Sequence, residues 1–108
     1  MISSTEHFFV QLLGTRDNWP NDMTEDEEKI MTEHFHYLKD LVQQKKVLMA
    51  GPVFEPVFGL VIVQAESKAE ARALAGNDPA VINGLMTVKI SPMRVSLMAE
   101  NPPDREPQ

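Results

Sequence analysis

Residues 30–52 read IMTEHFHYLKDLVQQKKVLMAGP, and this stretch decides the fold. At about 100° per residue, Ile30, Met31, Leu38 and Leu41 fall on one arc of a helix, with Phe35 and Val42 on its flank. The helix gives way to a short β-type run over residues 47–50, and Gly51-Pro52 closes that run. A long amphipathic helix that feeds directly into a strand belongs on the face of a sheet. The same wheel separates two histidines. His34 lies inside the apolar arc and is expected to point toward the sheet or a cleft. His36 is turned nearly half a turn away, beside Glu33 and Asp40, and is expected to point into water. Residues two apart on a helix do not face one another, so the HFH triplet is a poor metal clamp, which would need histidines at i and i+4.

Working outward toward the N-terminus, Thr24 with Glu27 three residues on forms a capping box. Asp26, Glu27 and Glu28 place negative charge at the positive end of the helix dipole, and Lys45 and Lys46 stand at the other end. This predicts a helix from 23–24 to 44–45. Residues 14–22 (GTRDNWPND) are turn chemistry. They carry the single tryptophan, Trp19, either as a lid over the core or as the border of a pocket or subunit contact. Residues 6–13 (EHFFVQLL) read as the first strand. Toward the C-terminus, a loop through Glu55-Pro56 precedes a strand over 58–65 (FGLVIVQA). Ser67 and Glu70 make a second capping box for a short helix ending near Gly76. Asp78-Pro79 then offers an N-cap followed by proline at the first helical position. The last strand is expected over 85–98, with a phase slip at Ser91-Pro92 that calls for a bulge.

The order strand, helix, strand, strand, helix, strand specifies an α+β, ferredoxin-like βαββαβ domain: an antiparallel four-stranded sheet with the helices on one face. Strands one and three carry apolar residues at both parities, whereas an antiparallel sheet with one wet face alternates. An uncovered apolar face predicts a homodimer packed sheet to sheet. The 108 residues amount to one domain over 1–99, with a polar, proline-rich, flexible tail over 100–108. A net charge of −6 argues against nucleic acid and anionic membranes as partners. With no cysteine there is no disulfide framework and no thiolate nucleophile. The first residues lack the basic and apolar regions of a signal peptide, and no run is long enough to span a membrane, so a cytoplasmic protein is expected.

Three pieces carry candidate chemistry: His34, the AGP at 50–52, and the NDPAV at 77–81. In this fold the first helix and the second helical region share a side of the sheet, so His34 and Asp78 can meet. A carboxylate on one imidazole nitrogen fixes the tautomer and leaves the other nitrogen as a proton acceptor. The plainer alternatives are a core histidine satisfied by one hydrogen bond and an aspartate that caps a helix. Both roles of Asp78 are compatible, because a carboxylate has two oxygens. Gly51 and Pro52 are candidate substrate contacts, where the backbone can approach a ligand closely. Tyr37, Met49, Ser91 and Arg94 are further candidates for a cleft wall.

Taken in order and at their intervals, HFHYLKDL, LMAGPV, GLVIVQAES and NDPAVINGLMTVKISPMRV resemble the YciI-like (YCII-related) family over roughly residues 8–97. The resemblance implies a dimeric α/β barrel of ferredoxin-like subunits with a His–Asp pair as active site, and by position that pair is His34 and Asp78. One branch of the family resembles dehydrochlorinases acting on chlorinated hydroxyquinols, and neighbouring superfamilies include lactone isomerases and haem proteins. The implied protein is a cofactor-independent lyase, isomerase or hydrolase using His34 and Asp78 for acid/base work on a small cyclic or aromatic molecule. The alternative is a non-catalytic small-molecule-binding or assembly module. Neither a metal nor a haem is expected: a carboxylate behind a histidine equally orients a base, so it identifies no ligand.

Overall fold

The computed structural model describes residues 5–99, and the predicted tail over 100–108 lies outside them. The elements are β1 (Glu6–Gly14), α1 (Glu25–Gln43), β2 (Val47–Phe54), β3 (Val57–Ala65), α2 (Lys68–Gly76), α3 (Pro79–Ile82) and β4 (Met86–Met93). The strands form one antiparallel sheet in the order β2-β3-β1-β4, the ferredoxin-like arrangement. The helices start where capping chemistry permits. Thr24 and Glu27 form the complete reciprocal box at α1, the Ser67 side chain accepts from the Glu70 N–H at α2, and Asp78 caps α3 with Pro79 in its first turn.

The core lies between the helices and one face of the sheet. Phe8, Val10 and Leu12 of β1 sit opposite Val63, Val61 and Gly59 of β3, and against them pack Leu41 of α1, Ala71 and Ala75 of α2, and Ala80 of α3. Phe8, Val10 and Leu12 are each at most 2% exposed, and burial of such side chains contributes about 1.5–3 kcal/mol apiece. Small residues on α2 and α3 bring those helices close to the sheet. The long α1 reaches further along it with larger side chains.

Two strand boundaries differ from expectation. Gly51-Pro52 does not end β2, which continues to Phe54 and turns through Glu55-Pro56 into β3. The reason is position: β2 is an edge strand, so Pro52 can sit opposite Gly59 while the side without an N–H faces no neighbour. An irregularity between Val47 and Met49 also shifts the phase, so that Val47 faces the core opposite Val63 while Ala50, opposite Val61, is exposed. The slip expected at Ser91-Pro92 is absent. Phe9, Phe8 and His7 pair with Ser91, Pro92 and Met93 in unbroken register. β4 is the other edge, where proline needs no bulge, and the strand stops at Met93 rather than near residue 98.

Candidate functional site

α1 is anchored at its start and carries the site along its middle. The Arg16 guanidinium donates from Nε to Asp22, at 2.9 Å to each oxygen, and from its two terminal nitrogens to the two Glu27 oxygens, at 2.7 Å each. Those hydrogen bonds to Glu27 and Asp22 push the Arg16 pKa further up, so the group is a permanent cation. The same guanidinium lies 5.2 Å from the centre of the Trp19 ring, a cation–π distance. Trp19 is buried, and its ring packs against Gly14: a Cβ at Gly14 would come within 2.5 Å of Trp19 Cδ1. The loop between β1 and α1 is therefore clamped, with the tryptophan turned inward.

Two turns into α1, His34 meets Asp78. His34 Nδ1 lies 2.7 Å from Asp78 Oδ2 and 2.9 Å from Oδ1, so the Nδ1–H donates to the carboxylate. Oδ1 also accepts from the Ala80 N–H at 2.9 Å, closing the start of α3. Asp78 is 1% exposed and is the one buried charged residue among those described. A buried carboxylate is costly unless hydrogen-bonded, and the imidazole and the amide together supply what it needs. Tyr37, a turn further along α1, donates to the Leu74 carbonyl at 2.6 Å. Burial first, and the Asp78 charge second, raise the Tyr37 pKa above 10.0, so the phenol keeps its proton and remains a donor.

His34 also lines a cleft of about 550 Å³, within the roughly 300–1,000 Å³ typical of small-molecule sites. With Nδ1 committed to Asp78, Nε2 is the remaining nitrogen. Among the described residues no buried side-chain nitrogen or oxygen lacks a partner, so Nε2, which has none, is accessible. The cleft runs between α1 and the β2–β3 end of the sheet. Met31, Phe35, Leu38 and Val42 form its helix side, and Trp19 with Pro20 closes one end. Its floor is bare backbone at Gly59, where a Cβ would stand only 3.3 Å from the Leu12 Cβ.

Of the residues singled out from the sequence, His34 and Asp78 are joined, and Gly51 and Pro52 both line the cleft. Gly51 pairs with Leu60, and a Cβ on it would meet nothing within 4 Å, so its lack of a side chain is not what makes room within the chain. His36 is exposed and stacks edge-on with Phe35. Tyr37, Met49, Ser91 and Arg94 are not part of the lining. Sequence reasoning did not single out Lys39, Val57, Gly59 or Met86. The apolar flank of the helical wheel at Phe35 and Val42 pointed to the cleft wall, and in the structure both are exposed, but it did not point to these four residues.

An α+β domain with one cleft-lining imidazole backed by a buried acid is the class that this fold and site define. The model of the YCII-related domain matches residues 10–94, and the chain belongs to that family. No curated protein matches it. Among solved structures it is similar to 5-chloro-2-hydroxyhydroquinone dehydrochlorinase (TftG) from Burkholderia phenoliruptrix AC1100, in a complex with 2,5-dihydroxybenzoquinone. The TM-score is 0.60 at 21% identity, covering 81% of this chain and 93% of the other, a likeness of fold.

Proposed function

We propose that the protein is a small-molecule enzyme in which His34 moves a proton and Asp78 holds the imidazole for that task. The observation that carries this reading is an imidazole tied on one side to a buried carboxylate and open on the other to an apolar cleft. With the Nδ1–H donated to Asp78, neutral His34 has its lone pair on Nε2. That lone pair takes a proton from a carbon next to a carbonyl, or from a hydroxyl conjugated to a saturated carbon that bears the leaving group. The freed electron pair becomes a new π bond, and the leaving group on the adjacent or conjugated carbon departs with its own bonding pair. The imidazolium, stabilised by the Asp78 carboxylate, then releases its proton to the leaving group or to water. Where no group leaves, return of the proton to a different carbon completes an isomerisation. No net electrons are transferred, so neither outcome needs a redox partner. The apolar walls suit a cyclic or aromatic substrate, and the similar Burkholderia structure is that of a dehydrochlorinase of a substituted hydroquinone.

The test is carbon–hydrogen exchange and chloride release, followed by proton NMR in deuterated buffer, on 5-chloro-2-hydroxyhydroquinone and a set of cyclic enolisable ketones. Turnover is expected on at least one, with His34→Ala lowering it by about 10²–10⁴-fold. Asp78→Asn keeps a side chain able to cap α3 and is expected to lose a comparable factor. An undiminished rate in His34→Ala ends the proposal.

A second reading is favoured by the double duty of Asp78, which stitches α1 to α3 and caps α3 at once. The pair is then structural and the protein a binding module. His34→Ala would in that case lower thermal stability, and the wild-type protein would turn over none of the panel. Either reading includes a homodimer packed through the uncovered sheet face. Its support is the apolar character of Phe9, Leu13, Leu60 and Ile62, which the strand register places opposite to the core-facing residues.

A further inference from the structure

We propose that the cleft selects an apolar ligand bearing an anionic oxygen, and that Lys39 is the residue that selects it; the inference deepens the reading of this cleft as a substrate site. The chain carries 16 Asp and Glu residues against 10 Lys and Arg, yet no carboxylate lines the cleft. His34 and Lys39 are its only titratable lining residues, and every other lining residue is an apolar one or glycine. Among the described residues Lys39 is also without a counter-ion. The ion pairs among the described residues join Arg16 to Asp22 and Glu27, and His34 to Asp78. One helical turn before and after Lys39 stand Phe35, His36, Val42 and Gln43, so none of the i±3 and i±4 positions offers a carboxylate. An unpaired cation at an otherwise uncharged apolar wall attracts an anion more strongly than it would in bulk water, because the wall lowers the local dielectric.

The other end of the cleft sets the orientation. The Asp78 carboxylate stands directly behind His34, so a ligand anion at Nε2 would face like charge. The anionic oxygen therefore belongs at Lys39 and the neutral, reacting carbon at His34. These residues are five apart on α1, a rise of about 7.5 Å along the helix axis. Both line one cleft, so the two groups meet different parts of one ligand, its acid group at Lys39 and its reacting carbon at His34. A carboxylate or an acidic enol or phenol on a ring fits this description; an uncharged ring of the same shape gains nothing from Lys39.

The experiment is calorimetric titration of the wild-type protein with 2-naphthoate and its uncharged isostere 2-naphthamide. Naphthoate is expected to bind about three- to fivefold tighter, the size of a partly exposed ion pair. Lys39→Met should bring the two affinities together, and Lys39→Arg should restore the preference. A structural role for Lys39 would move both ligands alike. Equal affinities in the wild type, no measurable binding of either ligand, or a preference that survives Lys39→Met overturns the inference. His34→Asn separates this result from the catalytic reading, because it should abolish turnover and leave the naphthoate preference in place. A retained preference with turnover independent of His34 would sink the catalytic reading and keep this one.

Discussion

Glu27 shows how one carboxyl can set a local dependence on pH. Its oxygens accept from Arg16 and from the Thr24 backbone N–H, and these bonds, Arg16 first, lower its pKa from 4.5 to about 2. The folded value lies below the unfolded one, so the stabilisation is fully present above about 4.5 and is lost as pH falls toward 2. Thermal melts between pH 5 and 2 should therefore fall more steeply for the wild type than for Glu27→Gln, which keeps a side chain able to complete the capping box. Parallel curves would refute the assignment. Several residue placements were legible in the sequence for definite reasons. His34 and His36 separate on a helical wheel, and Asp78 before proline is a cap signal. Lys39 and Gly59 were not legible. A lysine on a helix flank reads as solvated, and a glycine in a strand does not announce that its missing side chain leaves the floor of a cleft.

At the scale of elements, the loop between β1 and α1 depends on the contact between Gly14 and Trp19. Gly14→Ala would place a Cβ within 2.8 Å of Trp19 Cγ and 2.5 Å of Cδ1, atoms near the root of the ring that cannot swing aside. The variant is expected to lose about 1–3 kcal/mol of stability, as overpacked sites do, and to weaken ligand binding in the cleft by displacing its end wall. Denaturant melts beside the naphthoate titration check both parts; unchanged values in both would show the loop to be looser than drawn. The periodicity of α1 and the caps of all three helices were readable because those signals are local. The ends of β2 and β4 were not. Whether proline breaks a strand depends on whether that strand lies at an edge, and edges are a property of the assembled sheet.

For the molecule as a whole, the question is what covers the second face of the sheet. Phe9 and Phe58 meet there edge to face at 6.3 Å, beside Ile62, while β4 presents Thr87, Lys89 and Ser91 to the same side. The mixed face has an apolar centre on β1 and β3 and a polar margin on β4, an arrangement suited to a partner. In sedimentation experiments the wild type is expected to be dimeric, and Phe9→Lys to shift it to monomer. Ile82→Lys, at an exposed position on α3, should remain dimeric. A wild-type monomer would count against the assembly. The dual apolar parity of strands one and three was visible in the sequence because it requires only alternation. The walling of the cleft has an optical consequence. The protein holds one indole, packed against Gly14 and Arg16 in the end wall of the cleft. Its emission reports on a single place in the molecule, so a guest entering the cleft signals its arrival with no dye attached.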